Sequence, residues 1–393
     1  MKKVILLLSP LLLLLACKST EQIVPNGAAT HASIKPKQRS SFDDSWMRSK
    51  IDSALKANNI PALSVGVISD GELWLYDGFG LKKREGEAAA DEHTLYQIGS
   101  QTKMLTGIIV NRLVLERKLD LDASIVTYLP GVFNNQTREK LHAVTLRNLL
   151  QHKAGLPGIA PSDHRIDGDP MLVPYTELDL LKDLDELELA FAPGTDFSYS
   201  NMGYALVGYI CERVSGQKYE TLLQEYVAKP YQLTNTTTEL AVHQQELLAT
   251  PYRKDARNIE TKPFIMGKLT SAGGVYSSVA DLSRLMAAQL EAYRMLGQTE
   301  EQSPLVLTDS ATPDKKEYGF GLVRNVDERG VRYGHGGDLD GFASSYVFVP
   351  EHNVGLLLLT SSGGRWFGAL EKELVIKLVA EAKQAKNKSV TTR

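Results

Sequence analysis

The sequence has only two cysteines in 393 residues, Cys17 and Cys211. Cys17 ends an apolar N-terminal run, so Cys211 has no second cysteine available in the body of the chain. A fold held together by intramolecular disulfides is therefore excluded. Cys211 itself lies in an apolar run with helix-like spacing, which predicts a buried structural cysteine rather than a nucleophile.

Positive charge is not in excess either. The chain has 44 Lys and Arg residues against 47 Asp and Glu residues, a formal net charge of -3. Because a protein needs surplus Lys and Arg to neutralise phosphates, this balance argues against a general nucleic-acid-binding protein. With 43% hydrophobic residues, the chain is long enough for a large core, in two domains or in one domain with a big insertion.

Several catalytic and metal-binding motifs are missing. The chain has no Gly-x-Ser-x-Gly, so the nucleophile elbow of an α/β-hydrolase is not supported. It has no His-Glu-x-x-His and no cysteine pair, so a zinc site is not supported. Asp163, Asp167 and Asp169 lack the spacing of a calcium loop and predict a solvated loop. We therefore expect no metal and no cofactor.

The longest apolar run, residues 4–15, follows a basic start and is too short to span a bilayer comfortably. It ends in Leu14-Leu15-Ala16-Cys17, which resembles the bacterial lipoprotein signal. The resemblance implies that residues 1–16 are a signal peptide, that Cys17 carries a lipid, and that the protein is a periplasmic-facing or surface lipoprotein of the cell envelope. An ordinary secretory peptide is the alternative. Residues 17–40 are polar and predict a flexible tether.

Strand patterns lie near both ends of the remaining chain, and helices lie in the middle. After a helix capped by Asp43 or Asp44, two strands flank the turn Ser69-Asp70-Gly71, a good hairpin signal. Further strand-like runs and a closing helix follow in the C-terminal part: 318–323, 331–335, 342–349 and 354–360, then 367–383. We predict an α/β (α+β) fold with a largely antiparallel sheet built from both chain ends and flanked by helices.

The predicted domain covers residues 41–385. Its α/β part takes up about 41–118 and 311–385, and the mostly helical insertion about 119–310. Residues 386–393 are expected to be a disordered tail. No internal repeat is visible in the sequence.

One stretch, Tyr96 to Leu105, reads as a glycine-marked turn that runs into a helix. Apolar residues recur at helical spacing from Met104 to Leu113, so the helix has a face to bury. Ser100 falls at the helix start, where unpaired N–H groups and the helix dipole favour negative charge. Residues three apart share a helix face, so the amine of Lys103 can reach the Ser100 hydroxyl. The pair suits acyl transfer.

The Ser-x-x-Lys spacing alone is weak evidence, because it occurs three times. Ser53 and Lys56 sit in the middle of a helix on its polar side and predict a solvated surface. Ser215 precedes Gly216, which is typical of a helix C-terminus. Only Ser100 follows a glycine and opens an apolar helix.

Two distant motifs supply possible partners. Tyr199-Ser200-Asn201 precedes a helix, and its simplest interpretation is a helix start capped by Ser200 or Asn201. In a site, Tyr199 would act as a proton shuttle whose pKa is lowered by a nearby ammonium. The second motif, His335-Gly336-Gly337-Asp338, ends a predicted strand, and its glycines would let a ligand approach the backbone. A glycine-rich hairpin turn with an incidental histidine is the alternative.

The three elements, in this order and spacing, resemble the serine penicillin-recognising enzymes, specifically the class C β-lactamase and DD-peptidase-type serine hydrolases. The resemblance covers residues 45 to 385 and includes the stretches 152–157 and 271–275. It implies that Ser100 is the acylated nucleophile and that Lys103 and Tyr199 form the base and proton-shuttle pair. Asn201 and the stretch His335, Gly336, Gly337 and Asp338 would bind the substrate, with the backbone N–H groups of Ser100 and Asp338 as oxyanion hole.

One departure from the class C pattern concerns His335-Gly336-Gly337, which stands where class C β-lactamases carry Lys-Thr-Gly. A neutral histidine would anchor a substrate carboxylate less well than lysine. We therefore expect a DD-peptidase-like or esterase-like hydrolase of small amides, peptides or esters. A class C-like β-lactamase and a cell-wall or penicillin-binding lipoprotein without turnover remain as alternatives. His152 is expected to be a structural turn residue rather than a catalytic base.

Overall fold

The computed structural model describes residues 44–163, 173–255, 259–296, 303–308, 317–327 and 329–391. The signal peptide, Cys17, the tether and the candidate cap Asp43 lie outside the described residues, as do Asp167 and Asp169 of the acidic loop.

The main sheet has seven strands in the order β2-β1-β9-β8-β7-β6-β5, and every neighbouring pair is antiparallel. Its strands are β1 (Ala62–Ser69), β2 (Glu72–Gly80), β5 (Glu317–Tyr318), β6 (Val323–Asp327), β7 (Gly330–Leu339), β8 (Phe342–Val349) and β9 (Val354–Thr360). β1 pairs with β9 from Leu63 opposite Thr360 to Ser69 opposite Val354. The prediction of an antiparallel sheet built from both chain ends is thus confirmed.

The helices of the described residues lie on both faces of this sheet and in the middle part of the chain. They are α1 (Ser45–Asn58), α2 (Thr102–Leu115), α3 (Asn135–Leu141), α4 (Leu146–Leu150), α5 (Glu177–Glu186), α6 (Asn201–Ser215), α7 (Tyr219–Leu223), α8 (Val242–Gln245), α9 (Thr270–Gly273), α10 (Val279–Arg294) and α11 (Arg365–Thr391). Short 3₁₀ turns span Gly99–Gln101, Ile125–Thr127 and Pro350–His352, and one π-helical turn spans Gln224–Ala228.

Successive side chains of β9 point into two different hydrophobic cores, one on each face of the sheet. Leu356 and Leu358 face one core, which α1 and α11 close, while Leu357 and Leu359 face the other, which contains α2, α6 and α10. Successive side chains of a strand point to opposite faces of a sheet, so one apolar run can serve both cores. The second core is the larger, and it positions the helices of the candidate site.

The middle of the chain is mostly helical, as the sequence predicts. Within the described part of residues 119–310, the strand structure is β4 (Tyr276–Ser277), which pairs with β3 (Tyr96–Gln97) beside the main sheet. The predicted hairpin is also present. Ser69 pairs with Glu72, and Asp70 and Gly71 form the two-residue loop with φ of +58° and +74°, as the twist of a tight hairpin requires.

Two predicted elements differ from the structure. The run 318–323 is not one strand, because β5 ends at Tyr318 and β6 begins at Val323. Between them the chain packs so tightly that a Cβ at Gly321 would lie 2.2 Å from the Lys103 carbonyl oxygen. The closing helix α11 runs to Thr391, beyond the predicted end at residue 383, so residues 386–391 are helical and not a disordered tail.

Two kinds of feature are absent from the described ranges. No helix there combines the length and apolar character that a membrane span requires. No group of three or more His, Cys, Asp or Glu side chains there is arranged to hold a metal ion.

Candidate active site

Ser100 lies in the 3₁₀ turn that leads into α2. The turn begins at Gly99, whose φ of +56° is a conformation that side chains rarely adopt. Ile98 just before it donates its N–H to the Val275 carbonyl (2.9 Å), which ties the turn to the stretch 271–275. The Ser100 side chain is half-buried. The first N–H groups of a helix lack intrahelical acceptors and are available to an anion.

Lys103 lies one helical turn further and is completely buried. Its ammonium is 3.1 Å from Ser100 Oγ, 2.8 Å from Asn201 Oδ1 and 2.7 Å from the Ala272 carbonyl oxygen. Three acceptors match the three donors of an –NH₃⁺ group. The structure thus brings Ser100, Lys103 and Asn201 together around one buried charge, and the stretch 271–275 supplies the third acceptor.

Tyr199 lies beside this group, but its relation to Lys103 differs from the sequence-based expectation. Its ring centroid lies 6.0 Å from that of Tyr318, and its hydroxyl lies on the side of Ser100. The ammonium of Lys103 lies over the face of its ring, 4.8 Å from the centroid. Burial is the largest influence and raises the pKa of Tyr199 to about 12. The expected lowering of this pKa is wrong, and Tyr199 is a neutral phenol at pH 7.

The stretch 152–158 holds the Tyr-Ser-Asn motif in place. Ser200 donates its N–H to His152 Nδ1 (2.9 Å) and its hydroxyl to the Pro157 carbonyl (2.6 Å). Asn201 donates its N–H to the Gly158 carbonyl (3.0 Å). Ser200, and not Asn201, is the N-cap of α6, since its Oγ accepts the N–H of Gly203 (2.9 Å). The hydrogen bonds to the stretch 152–158 and the N-cap of α6 therefore fix the backbone at Ser200 and Asn201. They thereby fix the directions in which the side chains of Tyr199 and Asn201 point.

His152 is buried behind Tyr199, and their ring centroids are 4.3 Å apart. Its φ is +59°. Burial, then the charge of Lys103 and the neighbouring His335, lower the pKa of His152 to about 2. A neutral imidazole that accepts the Ser200 N–H fits the structural role that the sequence predicts.

His335 reaches the same cluster from β7. Its Nε2 is 2.8 Å from the hydroxyl of Tyr318, and its Nδ1 is 2.5 Å from the Gly336 carbonyl oxygen. Burial and the charge of Lys103 lower the pKa of His335 to about 4. The imidazole is therefore neutral at pH 7 and offers no positive charge to a substrate carboxylate.

Gly337 and Asp338 bring the backbone of β7 against the Ser100 turn. A Cβ at Gly337 would lie 2.1 Å from the Ile98 carbonyl oxygen, and one at Gly99 would lie 3.4 Å from the N atom of Asp338. β6 pairs with β7 only from 330 to 334, so residues 335–339 have no β6 partner and pack against the turn instead. The exposed carboxylate of Asp338 forms an ion pair with Lys254 (3.2 Å). The backbone of Asp338, and not its side chain, is therefore the part nearest the Ser100 turn.

The other two Ser-x-x-Lys pairs lie outside this cluster. Ser53 and Lys56 are exposed on α1. Ser215 ends α6, where its Oγ donates to the Cys211 carbonyl (2.7 Å) and Gly216 has a φ of +70°. Cys211 is fully buried, and burial raises its thiol pKa, so the prediction of a structural cysteine agrees with its surroundings.

Sequence reasoning missed Tyr318. Its ring packs between those of His152 (4.3 Å) and Phe197 (6.2 Å), and its hydroxyl contacts His335. The sequence places Tyr318 at the start of a strand-like run, which gives no sign that its side chain enters the site. The two glycines that follow, Gly319 and Gly321, were the available signal of close backbone approach.

The arrangement as a whole suits nucleophilic acyl transfer. A serine at a helix start accepts a hydrogen bond from a buried ammonium, a neutral phenol lies beside it, and backbone N–H groups of two segments are close to it.

The chain is similar to several known proteins. The family model described as Beta-lactamase matches residues 47–381. Protein flp of Staphylococcus aureus (strain MW2) is 26% identical over 333 residues, which cover 84% of this chain and 65% of the relative. This chain thus spans slightly less than two thirds of the length of that relative. A Beta-lactamase of Providencia stuartii is 23% identical over 342 residues, which cover 78% of this chain and 84% of the relative.

Two solved structures are also similar. The octameric penicillin-binding protein homologue from Pyrococcus abyssi aligns with a TM-score of 0.70 and 26% identity, over 82% of this chain and 74% of the other. The class C beta lactamase from Rhodobacter sphaeroides aligns with a TM-score of 0.71 and 20% identity, over 85% of this chain and 99% of the other. Since the family model matches most of the chain, this protein belongs to the beta-lactamase family.

Proposed function

We propose that the protein is a serine hydrolase that cleaves a small amide, peptide or ester through an acyl-enzyme on Ser100. The observation that carries the proposal is the position of the buried Lys103 ammonium, 3.1 Å from Ser100 Oγ and 2.8 Å from Asn201 Oδ1. A buried charge is costly unless it is paired or hydrogen-bonded, so a purely structural lysine has little reason to occupy this place.

In the proposed reaction, Ser100 Oγ attacks the substrate carbonyl carbon and its proton moves to the oxygen of Tyr199. Lys103 keeps Oγ in place and its charge favours the developing negative charge. The N–H groups of Ser100 and Asp338 would hold the oxyanion. Because Tyr199 is neutral at rest, it accepts the serine proton only while it passes its own hydroxyl proton to the leaving-group atom of the substrate. The leaving group then departs as the oxyanion collapses, and water hydrolyses the acyl-enzyme.

Of the DD-peptidase-like and esterase-like activities expected from the sequence, we favour the esterase-like one, and we place a class C-like β-lactamase behind it. The reason is His335, which is neutral and whose Nε2 is bonded to Tyr318, so it offers a substrate carboxylate no positive charge. A β-lactam carries such a carboxylate, and so does a D-Ala-D-Ala peptide. A neutral ester is therefore the substrate best matched to this side of the site.

The proposal is tested by kcat/KM for three substrates: a short-chain ester, a D-Ala-D-Ala peptide and a chromogenic cephalosporin. We expect the ester to be hydrolysed fastest. Ser100→Ala should abolish all turnover, whereas the control Ser53→Ala, at the exposed serine of α1, should leave it unchanged. Rapid cephalosporin turnover would reverse the preferred order, and equal rates for Ser100→Ala and the parent would contradict the proposal.

Following the adduct over time distinguishes the proposed hydrolase from the alternative, a cell-wall or penicillin-binding lipoprotein without turnover. An acyl group that remains on Ser100 for hours, with no product released from any of the three substrates, would favour the binder. Against it stands the complete set of Ser100, Lys103 and Tyr199, since a binder needs neither a nucleophile nor a proton shuttle.

We further propose that the chain is a lipoprotein of the bacterial cell envelope, anchored through Cys17. The proposal rests on the basic start, the short apolar run and the Ala16-Cys17 pair. In cells that export the full chain, Cys17→Ala should move the protein from the membrane fraction to the soluble fraction, while the control Ser19→Ala should stay with the membrane. Unchanged membrane association of Cys17→Ala would contradict it.

A further inference from the structure

A surface of aromatic rings leads from Ser100 to the outside of the protein. It begins at Tyr199, which shares the Lys103 ammonium with the serine: the nitrogen is 3.1 Å from Ser100 Oγ and 4.8 Å from the Tyr199 ring centroid. The ring of Tyr318 lies 6.0 Å from that of Tyr199, and the ring of Phe197 lies 6.2 Å from that of Tyr318. Tyr199 and Tyr318 are partly exposed, and Phe197 is 50% exposed. We call these three rings the aromatic patch.

The buried ring of His152 supports the aromatic patch from the protein interior. Its centroid is 4.3 Å from that of Tyr199, 4.3 Å from that of Tyr318 and 5.9 Å from that of Phe197. The backbone is tied at the same place, since Ser198 donates its N–H to the His152 carbonyl (2.9 Å). The patch is therefore in place before a ligand binds, and a ligand that packs on it need not order these side chains.

The exposure of Phe197 is informative because of where it occurs. Single exposed apolar side chains are common on protein surfaces and carry no argument by themselves. Among the large apolar side chains that the described ranges expose, however, Phe197 alone is aromatic, and it continues a surface that begins beside the candidate nucleophile. Ligand sites are typically walls of apolar and aromatic side chains with a few placed polar groups. The aromatic patch and the polar groups around Ser100 together have this composition.

The role of Tyr199 decides which part of a substrate would lie on the patch. In the proposed reaction, Tyr199 passes its hydroxyl proton to the leaving-group atom, so that atom lies on the Tyr199 side of Ser100. A chain attached to the leaving-group atom can then extend over Tyr318 and Phe197. The acyl group is attached to the carbonyl carbon in another direction and extends away from the patch.

We propose that the aromatic patch is a leaving-group subsite, and that the preferred substrate is an ester whose alcohol half carries an alkyl or aryl group that packs on Phe197. The inference rests on the proposed serine hydrolase function. The imidazole of His335 borders the patch, with its centroid 5.6 Å from that of Tyr318, and it is neutral at pH 7, so it suits an uncharged group. Phe197 takes no part in the bond-making step and is a specificity residue.

Two series of esters separate the alcohol half from the acyl half. Ethyl, butyl and hexyl acetate share one acyl group, and their primary alcohols leave equally readily. Ethyl acetate, ethyl butyrate and ethyl hexanoate share one alcohol. Full burial of a methylene group favours binding by about fourfold, so contact on one side predicts about twofold for each methylene and a rise of about tenfold or more in kcat/KM from ethyl to hexyl acetate.

The decisive variant is Phe197→Ala. It should lower the preference for hexyl over ethyl acetate by about fivefold or more, because the longer alcohol loses its contact with the ring. Hydrolysis of ethyl acetate, fluorophosphonate labelling of Ser100 and the preferences in the acyl series should stay near those of the parent. Phe197→Leu keeps an apolar surface and should retain most of the preference. The matched control is Ile376→Ala, at an exposed residue of α11, which closes the other core, and it should behave as the parent.

Each preference is a ratio measured on one enzyme, so partial unfolding of a variant does not change it. A parent with equal kcat/KM for ethyl and hexyl acetate, or a Phe197→Ala enzyme with the parent preference, would overturn the subsite. Equal losses in the alcohol and acyl series would also overturn it, because they would indicate a general disturbance of the site. A parent that hydrolyses no ester of either series and is not labelled at Ser100 would contradict the proposed hydrolase function itself, which is a different result.

Discussion

The substitution of His152 by asparagine tests the account of the buried histidine behind Tyr199. His152 is 1% exposed, and burial lowers its pKa from 6.5 to about 2. A group whose pKa is depressed on folding contributes its full stability above the pKa of the unfolded chain. That contribution is lost as the pH falls from about 6.5 towards 2, because His152 then binds a proton in the unfolded state but not in the folded state.

The size of this pH-dependent loss of stability follows from the binding of one proton by His152 in the unfolded state. Each pH unit below 6.5 costs about 1.4 kcal/mol, so at pH 4.5 this single histidine destabilises the protein by about 2 to 3 kcal/mol relative to pH 7. Asparagine tolerates the positive φ of residue 152 and its amide oxygen can accept a backbone N–H. His152→Asn therefore removes the titration and the ring contacts but keeps a residue suited to the turn.

The assay is urea unfolding followed by circular dichroism at several pH values. At pH 7 we expect His152→Asn to be less stable than the parent by about 2 kcal/mol or more, because the ring packs against Tyr199 and Tyr318. At pH 4.5 this gap should narrow by about 2 to 3 kcal/mol. His142→Asn, on an exposed residue of the same insertion, is the control and should show no such change. A gap that stays constant from pH 7 to 4.5 would refute the reasoning.

Two further variants test the geometry around Ser100. Lys103→Met removes the buried ammonium and should slow fluorophosphonate labelling of Ser100 by about 10²-fold or more. The control Lys56→Met, at the exposed lysine of α1, should be labelled at the parent rate. Equal labelling rates of the two variants would contradict the role of Lys103. Gly337→Ala places a Cβ 2.1 Å from the Ile98 carbonyl oxygen, so β7 must move away from the Ser100 turn. We expect the free energy of unfolding to fall by about 1 to 3 kcal/mol and kcat/KM to fall by at least about tenfold. The control Gly368→Ala has open space around the new Cβ, and a Gly337→Ala enzyme with parent stability and activity would show that the contact is not tight.

Local patterns were sufficient to predict the sheet and the Ser100 helix. Apolar runs in the first 80 and the last 80 residues predict the strands that the structure pairs, with Leu63 opposite Thr360. The glycine before Ser100 and the apolar residues after it predict the turn and α2. In both cases the information is local, because the spacing of side chains along a strand or helix is itself periodic.

The contacts across the site were only partly predictable. Tyr199 was expected beside Lys103, but sequence gives no direction for a side chain, and the ammonium lies over the ring rather than next to the hydroxyl. Burial then raises the pKa of Tyr199. Tyr318 on β5 reaches His335 because the sheet pairs Tyr318 with Val323 of β6 and Val323 with Gly334 of β7. No sequence motif indicates this contact between residues 17 positions apart.

The C-terminal error has a similar cause. Residues beyond 383 carry few apolar side chains, so their sequence shows no face to bury and predicts a tail. The helix α11 nevertheless continues to Thr391, and an ion pair between Lys377 and Glu381 (2.9 Å) lies on its preceding turns. Good helix formers extend an existing helix without a buried face, because propagation costs far less than nucleation.

The central claim is that Ser100 is the residue that forms the acyl-enzyme. Intact-mass analysis after exposure to a fluorophosphonate and, separately, to a penicillin tests it directly, with Ser100→Ala and Ser53→Ala measured beside the parent. The account predicts one adduct per chain on the parent and on Ser53→Ala, and none on Ser100→Ala. An adduct that persists on Ser100→Ala, or a parent protein that neither reagent modifies, would contradict it.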